Sequence, residues 1–260
     1  MNGAVRYSGV VIDLDGVCYR GQVPLPGSRE AIEDLRRAGV GIVYATNNAT
    51  YTPQQAAEKL RALGFDAVPE EVVTSAVAAA DMLEPDSRCL VVGMQGLRDA
   101  IQARGCSVVD DLSQVQVVVA GLDRELTYQT LERGTRALLA GARFIASNID
   151  GSYPAADGIS PGAGAIVAAL EKATGRTAEV AGKPQPALFE AAAARLPDGP
   201  LLMIGDRVET DIHGAAALGW DTALVLTGVT TAEGAKRADP APTYVADDLA
   251  AVVRTLLTDA

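Results

Sequence analysis

Two carboxylates, Asp13 and Asp15, stand two residues apart at the end of the run Val10-Val11-Ile12-Asp13-Leu14-Asp15-Gly16. The leading residues are apolar and β-branched, which predicts a buried strand that Gly16 breaks. Residues i and i+2 of an extended chain point to the same side. The pair is therefore expected to project together from the carboxyl end of a strand, the edge of an open α/β sheet where ligands bind. Carboxylates held this close repel, so either one is protonated or a cation lies between them. Taken alone, Asp-Leu-Asp-Gly is equally a turn that ends a strand.

Three more expected strand ends carry polar groups: Thr46 after Val40–Ala45, Lys183 after Glu179–Ala181, and Asp206 with Asp211 after Leu201–Ile204. If these meet on one edge they suit phosphoryl transfer. A carboxylate can attack phosphorus and carry the group as an acyl phosphate. A neighbouring carboxyl can protonate the leaving alkoxide. A hard divalent cation takes carboxylate oxygens, and a lysine with hydroxyl or backbone donors stabilises charge on the phosphoryl oxygens. Each residue also has a plainer reading: Thr46 as a strand cap, Lys183 as a solvated turn lysine, Asp206 as a turn residue, Asp211 as a helix N-cap. What favours chemistry is that all four places fall at the same kind of strand end.

The elements that must position these groups alternate strand and helix. Helices are expected from Ser28, as cap, to about Ala38, and from Thr52-Pro53 to near Gly64, with a short strand at Val72–Ser75. This alternation implies a parallel sheet with helices on its faces. A second α/β set follows: strands at Cys89–Val92, Gln116–Gly121 and Arg143–Ala146, helices at Leu97–Ala103 and Thr127–Ala140, and a helix opened by Ser160-Pro161. The last third returns to the first pattern, with Glu179–Ala181, Leu201–Ile204 and Thr222–Leu226 as strands and Asp247–Leu257 as a closing helix. The expected architecture is a doubly wound, Rossmann-like parallel-sheet domain, residues 1–76 and 181–260, interrupted by a smaller inserted α/β domain, residues 77–180.

The 260 residues are 48% hydrophobic but only 4% aromatic, so the core must be built from Ala, Val, Leu and Ile. A net charge of −11 without a Lys/Arg cluster argues against nucleic acid and anionic membrane surfaces as partners. No apolar run is long enough to span a membrane, and residues 1–8 show no charged-then-apolar leader. Cys18, Cys89 and Cys106 are odd in number and scattered, as expected of reduced thiols in a cytoplasmic protein.

The order Asp13-Leu14-Asp15-Gly16, Thr46-Asn47-Asn48, Gly182-Lys183-Pro184, then Gly205-Asp206-Arg207 with Thr210-Asp211, resembles the four motifs of the haloacid dehalogenase-like (HAD) phosphatases. The position of the insertion is similar to the NagD-like, 4-nitrophenylphosphatase-like branch with a large α/β cap. Gly121-Leu122-Asp123-Arg124, Ser147-Asn148-Ile149-Asp150, Pro161-Gly162-Ala163-Gly164 and Leu226-Thr227-Gly228-Val229 agree, so the resemblance covers nearly the whole chain. It implies a Mg²⁺-dependent phosphomonoester hydrolase acting on a small phosphorylated metabolite: a sugar or polyol phosphate, phosphoglycolate or a nucleoside monophosphate. Asp13 would be the nucleophile and a metal ligand. Asp15 would be the general acid and base, with its backbone carbonyl on the metal. Thr46, helped by amides near Asn47 and Asn48, would hold phosphoryl oxygens, and Lys183 would neutralise them. Asp206 would bind Mg²⁺ directly, and Asp211 through water or at one remove. Asp123, Arg124, Asn148, Asp150 and Tyr153 would face substrate from the cap, and relatives form homodimers through it. Ser147 and Ile149 replace the commoner Thr and Pro of the cap motif.

Other functions remain to be weighed. A receiver-like aspartyl phosphoacceptor also uses Asp, Thr, Lys and Mg²⁺ at strand ends, but in a shorter chain. A dehalogenase of the same superfamily would not need Asp15, because a halide leaves without a proton. A silent binding protein would not keep every motif residue. Gly158–Gly164 lacks the Gly-Lys-Ser/Thr ending of a nucleotide loop. Trp220 is expected to pack in the core, His213 to be a surface or outer group, and Cys18 to be a small buried hydrophobe, with oxidation of its thiol as the sharper alternative.

Overall fold

The computed structural model describes residues 5–155 and 158–258. Residues 1–4, on which the leader expectation partly rests, lie outside the described residues. The chain forms two compact units: residues 1–46, 53–73 and 189–260, and residues 47–52 and 74–188.

The first unit is built on a six-stranded sheet. Its order across the sheet is Tyr244–Ala246, Asp221–Val225, Leu201–Gly205, Gly9–Ile12, Gly41–Thr46, Val72–Thr74. Numbered along the chain within this unit, that is 6-5-4-1-2-3. The order reverses between Gly9–Ile12 and Leu201–Gly205, the switch point at which doubly wound sheets open a crevice for ligands. Gly9–Ile12 runs parallel to both its neighbours, in register Val10 with Leu202 and with Ile42. All four of its residues are buried, as its apolar pattern predicts. Helices Ser28–Arg37 and Leu249–Thr258 turn Ile32, Leu35, Val252 and Leu256 into the core beneath it. Trp220 stacks edge-on against Phe189, with ring centroids 5.7 Å apart.

The second unit has a five-stranded parallel sheet in the order Glu179–Val180, Arg143–Ala146, Val117–Ala120, Arg88–Val92, Ser107–Val108. Its core is aliphatic apart from one ring: Val92, Val118, Leu138, Val167 and Leu170 are buried together with Phe144.

Several local expectations are corrected. Gly27, in the left-handed region at φ 72°, takes the N-cap of the first helix. The buried Ser28 hydroxyl instead donates to the carbonyls of Cys18 (2.9 Å) and Leu25 (2.7 Å). Ser160-Pro161 opens no helix. Gly158–Pro161 pairs antiparallel with Ser152–Ala155, and the helix starts at Ala163. A two-stranded ribbon has free edges, where a proline lacking an N–H is tolerated. Glu179–Val180 joins the second sheet beside Arg143–Ala146 rather than returning to the first. Asp211 lies in a π-helical turn, Val208–Ile212, that precedes the helix His213–Ala217. Among the described residues no helix is long and apolar enough to cross a membrane.

Candidate active site

In the first unit the sheet delivers its acids at the switch point. Asp13 follows Gly9–Ile12, and its N–H donates to Ile204 O (2.9 Å), continuing the strand pairing for one more residue. Asp206 follows the neighbouring strand, Leu201–Gly205. One carboxylate oxygen from each of Asp13, Asp206 and Asp211 lies within 4.8 Å of the others. Asp206 and Asp211 are buried, and Asp13 is partly so. Three hard oxygens so close carry like charges that a divalent cation would neutralise. The donor set therefore fits such an ion.

The backbone around these acids is shaped to hold them. Val229 N–H donates to Asp206 Oδ2 (2.7 Å), and Thr230 N–H to Asp206 O (3.1 Å). Arg207 N–H donates to Asp211 Oδ2 (3.1 Å), an arrangement that the π-helical turn makes possible. Gly16, at φ 89°, and Gly228 leave the room that the Asp206 carboxylate fills. A Cβ on Gly16 would sit 2.8 Å from Asp206 Oδ2, and one on Gly228 would run into the same carboxylate. Thr227 Oγ1 donates to Gly16 O (2.6 Å), and the Arg20 guanidinium caps Thr227 O.

Asp15 lies on the turn after Asp13, exposed, with a backbone bridge to Tyr19. The sequence did not single out Lys59, whose Nζ stands 4.0 Å from the centre of the Tyr19 ring. Burial holds its ammonium below the usual lysine range, and the charge of Asp15 works against that. Its helix, Pro53–Ala62, carries no local signal that would have marked it. Cys18 is fully buried and its Sγ–H points at Asp13 O (3.6 Å). Burial, and then the charge of Asp13, push the thiol far above its ordinary range, which disfavours the thiolate that oxidation starts from. Thr46 ends its strand half-buried.

The second unit gathers another set: Asn47, Asn148, Asp150 and Lys183. Lys183 is 2% exposed and Asn148 5%. Asn47 bonds to the main chain of Lys183 on both sides. Asn148 Nδ2 donates to Asn47 O (2.7 Å), and its Oδ1 accepts from Asp150 N–H (3.1 Å). Asp123 is not brought into this set by any of these bonds; its Oδ1 accepts from Glu125 N–H (2.9 Å), closing its own turn. Asn48 Oδ1 does the same for Thr50 (2.9 Å). Arg124 stacks on Tyr153 and donates to its hydroxyl (3.1 Å).

Residues 10–107 match the family model described as haloacid dehalogenase-like hydrolase, and residues 180–252 match a second one described as HAD-hydrolase-like. An acid sugar phosphatase of Staphylococcus haemolyticus is 39% identical over 256 residues, 96% of this chain and 97% of that protein. The chain belongs to the haloacid dehalogenase-like hydrolases. Two solved HAD structures place it further within the family. A p-nitrophenyl phosphatase from Archaeoglobus fulgidus superposes with a TM-score of 0.89 at 31% identity, covering 96% of this chain and 99% of that one. A glycerol phosphate phosphatase from Mycobacterium tuberculosis, solved with magnesium, gives a TM-score of 0.88 at 38% identity, covering 96% and 76%.

Proposed function

We propose that this HAD hydrolase is a Mg²⁺-dependent phosphatase that cleaves small phosphorylated metabolites, of the sugar phosphate, polyol phosphate, phosphoglycolate or nucleoside monophosphate kind. The observation that carries the reading is the convergence of Asp13, Asp206 and Asp211 at the switch point of the first sheet. The names of its relatives, acid sugar phosphatase and glycerol phosphate phosphatase, support the substrate class.

In this reading an oxygen of Asp13 attacks phosphorus. The P–O bond to the substrate alcohol breaks, and Asp15 gives its proton to the departing oxygen. Water then attacks the aspartyl phosphate, with Asp15 taking a proton from it, and inorganic phosphate leaves. Asp13, Asp206, Asp211 and the Asp15 carbonyl would hold Mg²⁺, which when bound supplies charge neutralisation at the phosphoryl oxygens. The Thr46 hydroxyl and the amides near Asn47 and Asn48 would donate to those oxygens, and Lys183 would balance their charge. Asp123, Asn148 and Asp150 would bear on the rest of the substrate from the second unit, residues 77–180 acting as the cap.

Strand order speaks against the receiver-like alternative. Receiver-type domains of the flavodoxin-like kind follow the order 2-1-3-4-5, whereas this sheet follows 3-2-1-4-5-6 when read from its other edge. A cytoplasmic setting suits three buried cysteines with no disulfide among them. The net charge of −11 keeps nucleic acid and anionic membranes off the list of partners, and a homodimer through the cap completes the reading.

The deciding experiment is phosphate release from a panel of phosphomonoesters with Mg²⁺, in wild type and Asp13→Asn. The variant is expected to lose at least about a thousandfold in kcat, the scale on which removal of a nucleophile acts. Retention of a tenth of wild-type turnover would rule out Asp13 as the nucleophile. EDTA is expected to silence the wild type, and Mg²⁺ to restore it.

A further inference from the structure

Asn47 is placed by its backbone and emptied of free capacity by its side chain. Its Oδ1 accepts from Lys183 N–H at 2.8 Å, and its Nδ2 donates to Lys183 O at 3.0 Å. The amide thus clasps both polar groups of one residue, as a neighbouring strand would. Only this orientation of the amide satisfies both bonds. The same Nδ2 lies 3.3 Å from each carboxylate oxygen of Asp150.

The main chain of Asn47 is fixed as firmly. Its carbonyl accepts from Ser75 Oγ (2.6 Å) and from Asn148 Nδ2 (2.7 Å). Gly182 makes the close approach possible. A Cβ there would stand 2.6 Å from Ser147 O and 2.7 Å from Asn47 Oδ1. Lys183 itself is 2% exposed, so its stem has little freedom once its peptide is held.

We propose that Asn47 is the positioning residue for Lys183. Its side chain sets the Lys183 peptide, and with it the direction of the ammonium, and ties the Asn148–Asp150 turn to the same point. Asn47 then acts on the phosphoryl group through Lys183, not by side-chain contact of its own. This rests on the role given to Lys183 above. A displacement of about 1 Å in a positioned group can cost about a hundredfold in rate, which sets the size of the effect.

The test is a double-mutant cycle on kcat/KM with Asn47→Ala, Lys183→Ala and the pair combined. Apparent affinity for inorganic phosphate, measured by calorimetry, gives a second readout. Asn47→Leu is a parallel, uncharged variant of nearly unchanged size that lacks both the Nδ2 donors and the Oδ1 acceptor; it carries the cycle if the alanine variant does not fold. The expected result is a loss of about a hundredfold for Asn47→Ala in the wild-type background and almost none in the Lys183→Ala background. Phosphate affinity is expected to fall in parallel. Losses that multiply across the two backgrounds would overturn the inference, as would wild-type rates in both Asn47 variants. If Lys183→Ala itself kept wild-type activity, the role of Lys183 would fall first, and the inference with it.

Discussion

Asp206 and Asp221 stand on adjacent parallel strands of one sheet, at opposite ends, and the sheet treats them differently. Asp221 opens its strand, and Leu202 is its register partner. Its carboxylate accepts from the Tyr7 hydroxyl (2.7 Å) and the Thr243 hydroxyl (3.3 Å) and pairs with Arg6 (2.9 Å). Tyr7 is buried; burial first, then its bonds to Tyr244 and Asp221, push its hydroxyl far above the ordinary range, so it stays a donor. Asp206 follows the end of its strand, buried, within reach of two more carboxylates and backed by a loop amide. The first arrangement completes a charge and anchors a strand. The second concentrates like charge that a cation from outside would complete. Residue type alone does not separate the two roles; the company each carboxylate keeps does.

That contrast can be broken by substitution. Asp206→Asn should weaken equilibrium Mg²⁺ binding by more than the 10- to 100-fold typical of a group that only supports a ligand. Calorimetric titration of the folded variant reads this, and an unchanged affinity would remove Asp206 from the metal site. Gly228→Ala should fall within about 10- to 100-fold, because the new Cβ displaces the Asp206 carboxylate without deleting it. A Gly228 variant that binds metal as wild type does would show that the loop has slack. Asp221→Asn should cost about 1.5–3 kcal/mol in denaturant unfolding, the scale of hydrogen bonds to a charged group, at unchanged kcat/KM per folded molecule. A loss of turnover with no loss of stability there would erase the distinction between the two ends.

Much of this was legible because the acids follow short, apolar, β-branched runs. Val10–Ile12 and Leu202–Ile204 are wholly buried, so their patterns fixed both strands, and Asp13 and Asp206 came with them. The order of the motifs then made the family visible. What escaped notice was of two kinds. The ribbon at Ser152–Ala155 and Gly158–Pro161 is short, carries prolines and shows no buried face at Gly158–Pro161, so no period marks it. The clasp between Asn47 and Lys183 joins residues 136 apart in the chain, through an amide and a peptide that leave no trace in either local pattern. Nor did either local pattern show that the side chains of Asn47 and Asn48 are engaged within the fold. Lys59 went unmarked for a similar reason, since only the fold sets it over Tyr19.

The chain crosses between its two compact units four times, and one of its visits to the second unit lasts only six residues, 47–52. Residues 74–188 cut out as a gene fragment would therefore lack a hexapeptide of their own body. Ser75 would lose the carbonyl its hydroxyl holds, and the Gly96 backbone would lose Thr50, against which it closes tightly enough to exclude any side chain. Grafting this lobe onto another hydrolase means transplanting two separate pieces, and the smaller of them carries Asn47.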